Sequence, residues 1–258
     1  LWGVDACRAK RKGLGTDNDE PAPLVSYDCD ESVRHELVYA AGSFASAEQL
    51  EKWLRLHAID VGSWEGGVTK TSSDLWGELE RGEAALHLGS DGVRRCCNVV
   101  KVRVTRAEDE RAHLIESSQT WVESGLVRKR GRPLSEKMKF NEQPLEAAQR
   151  GLVEELGTVM RDAVYIYRRG SVNWVVKTSS IQLIEDSLSR WVEDAPSASY
   201  PSLNSRYTLF QVDAIVTGLP ADLFRTREYD EDGRRLDHTW EWLLSEAPPS
   251  TRLDADPP

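Results

Sequence analysis

Long apolar runs are missing from this sequence. None approaches the ~20 consecutive apolar residues a helix needs to cross a bilayer, so no membrane span is expected. Positive charge is also scarce: 33 Lys and Arg stand against 43 Asp and Glu, for a net charge of -10. A surface that tracks nucleic-acid phosphates needs clustered cations, so nonspecific nucleic-acid binding is not expected. The four cysteines, Cys7, Cys29, Cys96 and Cys97, form no CxxC pair. Adjacent Cys96 and Cys97 lack the relaxed geometry of an ordinary disulfide, and free thiols in a reducing compartment are expected. The five histidines are scattered rather than grouped at zinc-ligand spacing. No internal repeat is visible. The chain opens at Leu1 rather than Met, as expected of a fragment, a trimmed chain, or a mature protein of the cytoplasm or of an organelle after leader removal.

What is present is a change of periodicity along the chain. DNDEPAPL, residues 17–24, is acidic and carries proline, which suits a loop or linker. Leu50, Trp53, Leu54 and His57 then recur at helical spacing within Ala45 to Ile59. A second helix is expected over SSDLWGELERGEAAL, with Ser73 as its cap. Residues 1–95 therefore read as a small helix-containing α/β module without a chemical motif, open to a role in binding protein partners. From Val93 onward the period becomes two. CCNVVKVRVTR, AHLIESSQTWV and SGLVRKRG read as an antiparallel meander, and AVYIYRR, VNWVVKTSS and SRYTLFQVDAIV as later strands. LDHTWEWLL alternates Trp240, Trp242 and Leu244. IQLIEDSLSRWVED is ambiguous, because Ile181, Ile184, Leu188 and Trp191 fit a helix. The tail, residues 249–258, is expected to be disordered. The nine tryptophans mostly lie in apolar periodic stretches, where core packing accounts for them.

The chemistry concentrates in NEQPLEAAQRGLVEELG, Asn141 to Gly157. Pro144 suits a first helical turn, and Leu145, Ala148, Leu152, Leu156 and Val159 form one apolar stripe, with Gly157 as a stop. Arg150 sits four residues from both Glu146 and Glu154, so it can brace two carboxylates. Glu154 and Glu155 are adjacent on another face, with Glu142 just ahead of the helix. Carboxylates so grouped repel unless a cation neutralises them, and a hard divalent ion does this well. An amphipathic helix with a solvated acidic face produces the same spacing.

This stretch resembles the Nudix box, G-x5-E-x7-R-E-U-x-E-E-x-G-U with U a bulky aliphatic. Glu142, Arg150, Leu152, Glu154, Glu155 and Gly157 fall on the pattern without a gap. Three positions depart: Glu136 stands for the first glycine, Gly151 for the glutamate after the arginine, and Thr158 for the last aliphatic. The resemblance implies an α+β fold, a Nudix-like α/β/α sandwich with a mixed sheet over residues 96–248, beside the N-terminal module. It implies a small phosphorylated ligand, specifically a nucleoside diphosphate-linked or related pyrophosphate compound. Mg2+ or Mn2+ would be the cofactor, with Glu142, Glu154 and Glu155 as metal ligands. Glu154, Glu155 and Arg150 would form the catalytic group. In the family the glutamate after the arginine also faces the metals, and Gly151 has no side chain to offer. A residue outside the box, such as Glu185 or Glu228, would then have to substitute. In a Nudix arrangement Arg128, Arg130, Arg132 and Lys137, just before the box, would approach the phosphates and grip a diphosphate; a solvated charged strand and loop is the alternative reading. The alternative is a catalytically impaired scaffold serving as a ligand-binding or structural subunit of a larger assembly.

Overall fold

The computed structural model describes residues 21, 25–27, 36–64, 69–160, 163–168, 171–176, 180–229 and 233–244. The tail and, apart from Pro21 and its position, the acidic stretch 17–24 lie outside them, as do Cys7 and Cys29. The fold is α+β and dominated by antiparallel strands. It divides into two compact units. The first comprises the described residues up to Val99 together with Lys137–Glu142 and Arg190–Leu209. The second comprises Val100–Glu136, Gln143–Ser189 and the described residues from Phe210 onward.

In the first unit, strands β1 (Val25–Tyr27), β2 (Glu36–Tyr39), β3 (Ala85–Gly89) and the opening half of β4 (Gly92–Thr105) pair antiparallel in that order. Helix α1 (Ala47–Leu56) begins where the Ser46 hydroxyl accepts the Gln49 N–H, and it buries Leu50, Trp53 and Leu54 at helical spacing. Helix α2 (Ser72–Glu80) packs beside it and buries Leu75 and Leu79. The cap of α2 is Thr71, not the expected Ser73. Thr71 Oγ1 accepts the Asp74 N–H at 3.2 Å, and Asp74 Oδ2 accepts the Thr71 N–H at 2.7 Å. Threonine followed three residues later by aspartate makes a reciprocal pair, which a cap at Ser73 would forgo. Trp53 and Trp64 are buried in this unit, against Phe44 and Tyr200 respectively.

The second unit is built on β5 (Ala112–Trp121), β6 (Leu126–Arg132), β12 (Phe224–Tyr229) and β13 (Arg235–Leu244), ordered β6-β5-β13-β12. Helix α3 (Pro144–Leu156) starts with Pro144 in its first turn and buries Ala147, Ala148, Gly151, Leu152 and Leu156. The buried face adds Ala147 and Gly151 to the expected stripe, while Leu145 and Val159 at its ends are half-buried. Gly157 follows in a right-handed conformation and leads into a 3-10 turn through Val159, so the helix ends without a left-handed glycine cap. Strands β8 (Ala163–Arg168) and β9 (Ser171–Val176) form a hairpin of their own. Strand β7 (Leu134–Lys137) precedes α3. Strands β4, β10 (Ile181–Pro196) and β11 (Asn204–Val216) contribute residues to each unit.

Strand β10 settles the ambiguous segment against a helix. Its pairing with β11 outweighs the helical spacing of four apolar side chains. Along β13 the expected one-sided alternation fades: Trp240 is buried, Trp242 is half-buried and Leu244 is exposed. Cys96 and Cys97 are in the thiol form, as expected, and burial pushes the Cys97 thiol up to about 11.

Candidate functional site

The second unit gathers three glutamates around one buried histidine. Register explains how. In β13, His238 lies opposite Gln119 of β5 and opposite Thr226 of β12. Side chains directly opposite in an antiparallel pair project to the same face. The pairing passes from Thr239–Ser118 to Trp240–Glu116, so Ser117 is an extra residue on β5. This bulge turns Glu116 onto the face of Gln119, three residues away, where regular alternation would have turned it off. Glu228 reaches the same face from β12, two residues beyond Thr226. Glu155 arrives from α3.

The distances are those of hydrogen bonds and ion pairs. His238 Nδ1 lies 2.7 Å from Glu116 Oε1, and Nε2 lies 3.1 Å from Glu228 Oε2. Glu155 Oε2 is 3.6 Å from Nδ1. A carboxylate can only accept, so both ring nitrogens carry protons and the side chain is an imidazolium. Burial works against that charge, but the bonds to Glu116 and Glu228 and the charge of Glu155 outweigh it and raise the pKa to about 10. Glu155 behaves oppositely. Its burial raises the pKa, His238 offsets part of this, and the charges of Glu228, Glu116 and Glu136 add to the rise, to about 7. Burial acts on Glu116 too, yet the bond from His238 and the Arg130 guanidinium, 2.9 Å away, hold it below the usual carboxylate range. Beneath the group, Trp240 is buried and donates its indole N–H to Thr226 Oγ1 at 2.8 Å.

One ligand atom each from Glu155, Glu228 and His238 falls within 4.8 Å of the others, close enough to share an ion. Two carboxylates and an imidazole suit Mn2+ better than Mg2+, which prefers oxygen alone. His238 must first surrender a proton to serve as a ligand.

The residues expected from sequence separate. Glu155 belongs to this group, and so does Glu228, one of the two candidates outside the box. Glu185 is exposed on β10. Glu154 is exposed and accepts from Arg150 Nη1 at 3.0 Å, while the same nitrogen donates to Glu136 Oε1 at 2.6 Å. Glu142 lies in the first unit, where its carboxylate accepts the Lys139 N–H at 2.8 Å. Lys137 also lies in the first unit and donates to Glu78 at 2.6 Å. Arg128 stands opposite Gln119, and Arg132 opposite Glu116, so both are on the face of the cluster. Burial and the neighbouring Arg130 lower the pKa of Arg128. Glu116 and His238 had no motif to announce them. For His238 the signal was a titratable residue on the inward face of an alternating strand, in LDHTWEW, whereas the bulge at Ser117 left Glu116 without one. No family model matches the chain, and neither a curated protein nor a solved structure does.

Proposed function

We propose that this protein is a Nudix-type hydrolase that cleaves a nucleoside diphosphate-linked or related pyrophosphate compound with the help of a divalent cation. The observation that carries the reading is the convergence of Glu155 from α3 with Glu116, Glu228 and His238 from the sheet. Support from sequence is the gapless spacing of Glu142, Arg150, Glu154, Glu155 and Gly157, on a segment that is helical from Pro144. As part of the same proposal, the α+β fold described above would be, in its finer form, a Nudix α/β/α sandwich.

Glu155 and Glu228, with His238 once deprotonated, would hold the ion. Mg2+ or Mn2+ bound there supplies charge neutralisation to a phosphoanhydride and acidifies water. The Glu155 oxygen not engaged with the ion would be placed to take the proton of an attacking water. Arg128 and Arg132 meet phosphate oxygens from the same face. Arg130 positions Glu116, and Arg150 braces Glu136 and Glu154.

The test is turnover of a panel of nucleotide sugars, dinucleotides and nucleoside triphosphates with Mg2+ or Mn2+. Glu155→Gln should lower kcat by about 100-fold or more, the usual scale for removing a group that acts on the metal or water. Glu154→Gln, at an exposed carboxylate, should change it little. Equal turnover in wild type and Glu155→Gln would remove the mechanism.

One observation favours the alternative of a ligand-binding or structural subunit. The His238 imidazolium already takes up part of the negative charge that an ion would neutralise. Calorimetry showing nucleotide binding without product over long incubation would select that reading.

A further inference from the structure

Gly151 is buried in the middle of α3, where glycine costs about 0.5–1 kcal/mol relative to alanine. Its surroundings explain it. A Cβ placed on Gly151 would lie 2.9 Å from Glu136 Cβ, 3.0 Å from Glu136 Cγ and 3.3 Å from Leu134 Cδ2. These are the root of one side chain and a fully packed leucine, not the free end of a flexible chain. The glycine is therefore a notch that admits Glu136 from β7. Residue 151 lies one turn ahead of Glu155 on the same side of the helix, and side chains on a helix tilt toward its N-terminus. The space that a residue 151 side chain would fill is the space beside Glu155, and Glu136 fills it. The carboxylate there is fixed by Arg150 Nη1 at 2.6 Å.

Two of the three departures from the box pattern are thus one event in space: the pattern has glycine at 136 and glutamate at 151, and this chain has the reverse. We infer that Glu136 is a positioning residue of the site, a carboxylate delivered from β7 through the Gly151 notch in place of one carried by the helix. The inference rests on the hydrolase reading. It extends that reading by removing the gap that Gly151 otherwise leaves.

The experiment uses the full chain with Mn2+ alone, its binding followed by electron paramagnetic resonance, and hydrolysis measured alongside. Glu136→Gln keeps size and should fold, which circular dichroism verifies. It should weaken Mn2+ binding about 10-fold and lower kcat with it, the order expected when a supporting group around a metal is lost. The exchanged variant Glu136→Gly with Gly151→Glu should recover Mn2+ binding to within about 3-fold, because the carboxylate returns from the other side of the same space. A purely structural role for Glu136 would give no such rescue. Wild-type Mn2+ affinity in Glu136→Gln, or failure of the exchanged variant to recover, would overturn the inference. Failure of the parent reading looks different: wild type and Glu155→Gln would then be equally unable to bind the ion.

Discussion

The two units contain opposite electrostatic arrangements. In the first, one buried carboxylate, Glu78, is surrounded by cations. Arg95 reaches it at 2.6 Å, Lys137 at 2.6 Å and Lys70 at 2.7 Å. Burial alone would raise the Glu78 pKa, but these charges drive it far below the usual range. In the second, one buried cation, His238, is surrounded by carboxylates. The first group holds its charge firmly at any moderate pH and ties α2 to β4, to Lys70 and to the Lys137–Glu142 segment. The second sets three carboxylates, Glu116, Glu155 and Glu228, against His238 and Arg130, and the excess appears as a Glu155 that ionises only near neutrality. A saturated carboxylate works as a staple, whereas crowded carboxylates retain the capacity to take up a proton or an ion.

The largest expected effect would break the staple. Glu78→Ala leaves Arg95 buried without its partner, and should cost about 3–5 kcal/mol in urea unfolding. A loss below about 1 kcal/mol would mean the pair does not hold the first unit together.

Next in size is removal of the opposite charge. The folded pKa of His238 is raised from 6.5 to about 10, so its contribution is complete below 6.5 and is lost as pH rises through about 10. His238→Asn should therefore destabilise by about 2–4 kcal/mol near pH 6, and by progressively less on approach to pH 10. A cost that did not change with pH would show the ring acts by packing rather than charge.

How much of this contrast could be read in the sequence differs by element. Helix α3 was legible because its apolar residues recur at helical spacing over three turns, and the meander because period two persists through Cys96 to Arg132. Glu155 was legible from its place beside Glu154. The helix face, though, gave no way to tell that Glu154 would turn to Arg150 while Glu155 turned inward. Glu116 was hidden by the Ser117 bulge, since alternation alone assigns it to the wrong face. The reason for Gly151 was also out of sight, because the atom it makes room for is fifteen residues away and arrives by tertiary packing. Strand β10 was obscured because pairing with β11, not its own pattern, decides its form.

A smaller effect should have the reverse pH sense in the variant. Glu155 has a folded pKa raised from 4.5 to about 7, so its contribution is fully favourable below 4.5 and is lost as pH rises through 7. Glu155→Gln, a mimic of the neutral acid, should match wild type near pH 4. It should exceed it by about 2 kcal/mol at pH 8, with less if water reaches the carboxyl. This is the sharpest form of the contrast, because deleting a carboxylate would destabilise the first unit and stabilise the second. Equal stability of the two proteins at pH 8 would mean the carboxylates around His238 are not crowded.

The smallest effect calibrates the others. Thr71→Ala removes the hydroxyl that caps α2 in the first unit and breaks the reciprocal pair with Asp74. The expected cost is about 1 kcal/mol, the same near pH 6 and near pH 8, because the group removed is a hydroxyl. Guanidinium unfolding at the two pH values gives the comparison directly. A pH-dependent cost would show that loosening α2 alters the ion cluster at Glu78, which lies on the same helix. The pH dependence assigned to His238 and Glu155 would then need to be measured against that background. A constant cost leaves the titration in the second unit, where the crowded carboxylates are.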